Sequence, residues 1–138
     1  MIIGDTTLII DIWRGFVNAK KCLEQNLSEK VGISTITVEE IYDGLGYTRI
    51  KKGEAIFKEI EEQYNNIFED FLIIPININI SKKAGFLKGE LRARGVILDF
   101  NDYLIGATAL IVRAKKIITR NPDHFKEFQI LIETYENK

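Results

Sequence analysis

"MIIGDTTLII" (residues 1–10) decides how this chain is read. Residues 2–4 begin as a buried β-strand, the run stops at the lone carboxylate Asp5, and helical spacing takes over across 7–13. A strand that gives way at once to a helix is the first half of a βα unit. An aspartate at that junction has two readings. It can cap the helix, or it can be a reactive group presented at the edge of a sheet.

The same alternation continues along the chain. Short apolar runs at 31–36 ("VGISTI"), 71–76 ("FLIIPI"), 116–119 ("KIIT") and 129–135 ("QILIETY") read as further strands. Each is nearly continuous in apolar residues, as strands covered on both faces are. Helical spacing fills the intervals at 15–27, 37–48, 50–68, 79–94 and 100–115, with a short turn near 122–127. Strands alternating with helices predict an α/β fold built on a parallel sheet with right-handed crossovers. All strands then end at one edge, where binding crevices form. No repeat, low-complexity segment or linker interrupts the 138 residues, which read as one domain over 1–138.

Bulk composition narrows the class. The chain is 46% apolar and 28% charged with two prolines, a globular composition. Its formal net charge of -1 gives no whole-molecule attraction for nucleic acid. Charge is nevertheless uneven. Lys82, Lys83, Lys88, Arg92 and Arg94 face only Glu90 in "SKKAGFLKGELRARG" (81–95), whereas 54–70 is strongly acidic. Such runs are either solvated helix faces or surfaces for phosphate and for a basic partner. A single cysteine, Cys22, excludes an internal disulfide and a cysteine-rich zinc site. Neither a secretory signal nor an apolar run of membrane-spanning length is found, so a cytoplasmic protein with no membrane association is expected.

The candidate reactive groups are carboxylates. Asp5 follows the first strand, and Glu39 and Glu40 fall in the first turns of the helix after "GISTIT". Asp99 and Asp102 mark a helix start in "ILDFNDYLIGATAL". Asn121 and Asp123 follow "KIITR". A parallel sheet would gather all of these at one crevice. With one histidine, His124, a two-histidine ribonuclease is excluded. No serine lies in a G-x-S-x-G elbow, and no phosphate-binding glycine loop exists. Oxygen ligands remain. Clustered carboxylates repel unless protonated or bridged by a cation, and hard oxygen donors suit Mg²⁺ or Mn²⁺. Such ions activate water and offset charge when a phosphodiester is cut. Each residue also has a structural reading. Asp5, Asp99 and Asn121 are good helix N-caps, the last before Pro122, and Asp102 complements a helix dipole. His124 reads as a partly exposed structural residue.

Four blocks, "DTTLIIDIWRG" (5–15), "ISTITVEEIYDG" (33–44), "DFNDYLIGATAL" (99–110) and "TRNPDHF" (119–125), together resemble in order and spacing the signature blocks of PIN domains. They are most similar to the VapC-type toxins of prokaryotic toxin–antitoxin pairs. The resemblance implies a three-layer α/β/α sandwich with a five-stranded parallel sheet in the order 3-2-1-4-5. It implies a Mg²⁺- or Mn²⁺-dependent endoribonuclease that leaves 5′-phosphate and 3′-hydroxyl ends on RNAs such as tRNA or rRNA.

By the same resemblance, Asp5, Glu40 and Asp102 match the family's acidic residues. Asp5 and Asp102 would bind the principal ion, Glu40 would help bind it or orient water, and Asn121 with Asp99 or Asp123 would complete the shell. Asn121 departs from the acid many members carry there, which bears on a second metal. Lys82, Lys83, Lys88, Arg92 and Arg94, with Arg113, Lys115 and Lys116, would hold the RNA backbone. A homodimer and a VapB-like antitoxin beside 37–68 are also implied. There Ile41, Leu45, Ile56, Ile60 and Ile67 face either that partner or the core, and their spacing fits the core better. Two alternatives stand beside this reading. One is a non-catalytic PIN-like RNA-binding or scaffold module. The other is a small α/β phosphatase or receiver-like domain built on Asp5, although Thr7 stands where a haloacid-type phosphatase wants a second aspartate.

Overall fold

A computed structural model describes residues 1–138. Its strands are β1 (Ile2–Gly4), β2 (Val31–Ser34), β3 (Leu72–Ile74), β4 (Lys116–Ile118) and β5 (Leu131–Glu133). All pair in parallel, in the order β3-β2-β1-β4-β5. Six helices cross between them: α1 (Thr6–Trp13), α2 (Val17–Glu24), α3 (Thr35–Lys52), α4 (Glu54–Phe68), α5 (Ile78–Ala93) and α6 (Phe100–Ile111). A single 3₁₀ turn, Pro122–His124, lies between β4 and β5. No helix is long and apolar enough to cross a membrane.

The three-residue strands work because successive side chains leave opposite faces of a sheet. Ile2 and Ile118 join one core with Leu8, Ile9, Ile41 and Tyr64. Their neighbours Ile3 and Ile117 join another with Ile80, Leu91, Tyr103 and Phe125. Two cores on two faces of one sheet make three layers. Ile41 and Leu45 are buried in the first core, and Ile60 and Ile67 pack against it, while Ile56 is exposed. Cys22 is buried in the same core.

Several elements are shorter than their apolar runs, for local reasons. β2 stops at Ser34 because its hydroxyl accepts from the Ile36 backbone N–H and starts α3. β3 is followed by Pro75, which has no N–H to donate. As an edge strand it leaves Leu72 and Ile73 exposed, so its apolar run is not covered on both faces. The long helical stretch breaks at Gly53, whose φ of +94° favours glycine. α6 ends at Ile111, ahead of Arg113 in the left-handed region at φ +55°.

α6 is drawn tightly onto its neighbours by small residues. At Gly106 an added Cβ would lie 2.5 Å from the Phe128 ring, which is itself buried. Gly106→Ala is therefore expected to destabilise the protein by about 1–3 kcal/mol in urea denaturation. Adding Phe128→Leu should recover part of that loss, because the two positions share one space.

Candidate active site

Five strands ending at one edge bring Asp5, the start of α3, the start of α6 and the turn after β4 to a common cavity of about 360 Å³. Asp5, Glu40, Asp99, Asp102 and His124 all line it. Asp5 is 4% exposed, lines this cavity and caps a helix. Its Oδ1 caps α1 by accepting from the Leu8 N–H at 3.2 Å, and it also accepts from Thr7 Oγ1 at 2.6 Å. Oδ2 accepts from Thr119 Oγ1 at 2.7 Å. Burial raises the Asp5 carboxyl above its ordinary range, and these donors pull the other way.

Glu40 is positioned by threonines. Thr6 Oγ1 donates to Glu40 Oε1 at 2.7 Å and lies 2.9 Å from Thr37 Oγ1. A hydroxyl has one proton, so Thr37 donates to Thr6 and Thr6 passes the polarity on to the carboxylate. Glu39, its neighbour, is exposed to solvent.

Asp102 lies in the first turn of α6, and its Oδ2 is 3.2 Å from His124 Nδ1. Burial raises its carboxyl from 3.8 to about 6; His124 opposes the shift, while Asp99, Asp5 and Glu40 add to it. Asp99 precedes α6 at the exposed rim and makes no side-chain cap bond. Both Asp99 and Asp102 were legible as candidates. His124, read from the sequence as structural, proves to line the cavity.

Asn121 and Asp123 are not among the lining residues. Asn121 contributes its backbone, donating its N–H to Thr119 Oγ1 at 3.0 Å, and its side chain makes no cap bond. Asp123 is exposed on the 3₁₀ turn, whose pitch brings His124 to the cavity instead. Lys115 and Lys116 also fall elsewhere than expected. They sit at the start of β4, at the opposite sheet edge, and pair with Glu29 and Glu133. The five basic residues of α5 and its following turn are exposed.

The threonines Thr6, Thr37 and Thr119, which hydrogen-bond to or behind the candidate carboxylates, are positions that the sequence reading passed over. Their only signal was adjacency, a hydroxyl beside each acidic block. Behind them lies a second network. The Arg120 N–H donates to Thr7 Oγ1 at 3.0 Å, and its guanidinium Nε donates to Asp11 Oδ2 at 2.7 Å. Asp11 is fully buried; Tyr135 OH also donates to Oδ2 at 2.8 Å, and Oδ1 has no partner. Arg120 thereby compensates a buried charge and steadies the hydroxyl that holds Asp5.

No three Asp, Glu, His or Cys side chains come close enough to enclose a cation by themselves. The donor set nevertheless fits a hard divalent ion. Mg²⁺ keeps several waters and takes one or two carboxylates directly, and four carboxylates around one cavity meet a single imidazole. A phosphatase of the haloacid type is not supported, since Thr7 donates to Asp5 where a second acid would be required.

A sequence model of the PIN domain matches residues 2–131. The chain belongs to the PIN domain family. Among its relatives, Ribonuclease VapC1 of Methanocaldococcus jannaschii is 30% identical over 134 residues, covering 95% of this PIN domain chain and 85% of that protein. The solved structure of VapBC2 from Rickettsia felis, bound to a DNA fragment from their promoter, superposes with a TM-score of 0.84 at 21% identity. That match covers 99% of this chain and 100% of the other. A toxin–antitoxin complex from Klebsiella pneumoniae gives 0.72 at 25% identity, covering 96% and 97%.

Two outcomes follow for this PIN domain. Asp102 is harder to ionise when folded, so below pH 3.8 it costs nothing, and its penalty grows as pH rises to about 6. In metal-free buffer at pH 7, Asp102→Asn should therefore stabilise the protein by about 2 kcal/mol, a gain that fades towards pH 4 in urea titrations. Mg²⁺ should reduce the gain by stabilising only the parent. Arg120→Met, which leaves Asp11 buried and uncompensated, should cost about 3 kcal/mol in the same assay, with partial recovery on adding Asp11→Asn.

Proposed function

We propose that this PIN domain is a Mg²⁺- or Mn²⁺-dependent endoribonuclease of the VapC type, the toxin of a toxin–antitoxin pair. The observation that carries the reading is the convergence of Asp5, Glu40 and Asp102 on one cavity from three separate segments of the chain. Asp5 and Asp102 would hold the ion, with Glu40 and Asp99 beside it. When bound, the ion supplies a Lewis acid that makes water nucleophilic near neutral pH and offsets charge on the phosphate.

The chain's own groups set the geometry. Thr7, Thr119 and the Leu8 N–H fix Asp5 in one orientation. Thr6 occupies Glu40 Oε1 and leaves Oε2 without a protein donor, available to orient a water or accept its proton. His124 is close enough to keep Asp102 in place. In-line attack by water on phosphorus would leave 5′-phosphate and 3′-hydroxyl ends. Asn121 lies outside this set and would act through its backbone bond to Thr119.

The substrate would be a structured RNA such as tRNA or rRNA, met in the cytoplasm, with exposed cations of α5 on its backbone. A VapB-like antitoxin and a homodimeric state belong to the same proposal. The VapBC2 and Klebsiella structures support it as relatives in fold that are complexes of this kind. The acidic α4, with Glu54, Glu59, Glu61 and Glu62, offers a basic antitoxin segment an opposite charge.

Asp5→Asn and Asp102→Asn are expected to lower RNA cleavage by roughly 100-fold or more in Mg²⁺, with circular dichroism unchanged and growth arrest on expression lost. Asn121→Ala should have a much smaller effect, and excess EDTA should silence the parent protein. Undiminished cleavage by both purified aspartate variants rejects the assignment.

A further inference from the structure

A cavity lined by carboxylates repels a polyanion except where a cation offsets the charge, so the nucleotides flanking the scissile phosphate need a grip beside the cavity. The cavity rim offers one such place. Phe100, the first residue of α6, is 63% exposed although Tyr103, Ile105 and Ala107 of the same helix are buried. It lines the carboxylate cavity and also a second hollow of about 290 Å³ formed with Ser81, Gly85, Lys88 and Tyr103. Lys88 Nζ lies 5.4 Å from the centre of the Phe100 ring. Gly85 is shared with a further shallow hollow, where it meets Lys82 and the exposed ring of Phe86.

We propose that Phe100 and Lys88 form a subsite at the mouth of the cavity in which an unpaired RNA base stacks on the Phe100 ring while Lys88 contacts a neighbouring phosphate. The proposal rests on the endoribonuclease reading and adds to it the residues that set the substrate's position. Aromatic rings interleaved with lysines along a groove are the chemistry of single-strand binding, because every base has a π-face and every linkage a negative charge. A second copy of this chain is a poorer occupant. It would have to cover Lys82 and Lys88 on a surface where Glu90 and, at the rim, Asp99 are the anions present. RNA brings a phosphate for each lysine.

The test uses the full chain with Asp5→Asn, so that RNA is bound without being cut, and a mixed-sequence single-stranded oligoribonucleotide in Mg²⁺. Fluorescence anisotropy should show Phe100→Leu weakening binding about 10- to 100-fold, with Phe100→Tyr close to the parent, because stacking needs a ring and not only an apolar side chain. Lys88→Gln should weaken binding and lower the slope of log K against log salt by about one. Binding of the annealed duplex should respond to Lys88→Gln alone, since paired bases offer no free face.

Unchanged single-strand binding by Phe100→Leu, or equal losses for strand and duplex, overturns the subsite. So does sedimentation in which Phe100→Leu dissociates a dimer of the parent, which would assign this surface to a second copy. These failures differ from failure of the nuclease reading. If Asp5→Asn abolishes cleavage while Phe100→Leu binds normally, the nuclease stands and the subsite falls. Full cleavage by both Asp5→Asn and Asp102→Asn overturns both.

Discussion

A carboxylate held in a dry position by three donors organises this molecule. Asp5 sits at the end of the central strand, between β2 on one side and β4 on the other. Its backbone N–H donates to Ile118 O, so the main chain is tied to β4 at the point where the side chain reaches Thr119. Removing that carboxylate from water is costly, and Thr7, Thr119 and the Leu8 N–H offset the cost only while β1, α1 and β4 keep their relative positions. The cap on a helix and the candidate metal ligand are therefore one group. The capping and chemical readings of Asp5 were never exclusive.

Around that point hydroxyls do the fixing and carboxylates do the presenting. Thr37 and Thr6 relay to Glu40, and Thr119 links Asp5 to the backbone of Asn121. Threonine suits both tasks because it donates one proton and still accepts. The Arg120–Asp11 pair lies on the far side of Thr7 and extends the network to Tyr135 near the end of the chain. The candidate site is thus braced from α1, α3, β4 and the segment after β5.

The arrangement stores repulsion that a divalent ion would relieve. Burial, reinforced by Asp99, Asp5 and Glu40, pushes the Asp102 carboxyl up to about 6. A cation in the cavity would reverse that balance and so would link metal affinity to stability through the same group. The surface completes the electrostatic picture. Acidic residues line the cavity, while the nearest cation held against an aromatic ring, Lys88, lies across Phe100 on α5.

The alternation of apolar runs with helical spacing was enough, from sequence, to specify a parallel α/β sheet and to place Asp5, Glu40 and Asp102 after strands or at helix starts. Four ordered blocks carried the family likeness and with it the strand order. These are local signals, set by side-chain period and capping chemistry. Other features needed the tertiary structure. Whether Leu72 and Ile73 are covered depends on β3 being an edge strand, and no residue in their vicinity records that. The exchange of Asn121 and Asp123 for His124 at the cavity follows from the pitch of one 3₁₀ turn. The roles of Thr37, Thr119 and Arg120 depend on partners 31 to 114 residues away. A sequence records which groups can donate and accept, but only closure of the fold determines which of them meet.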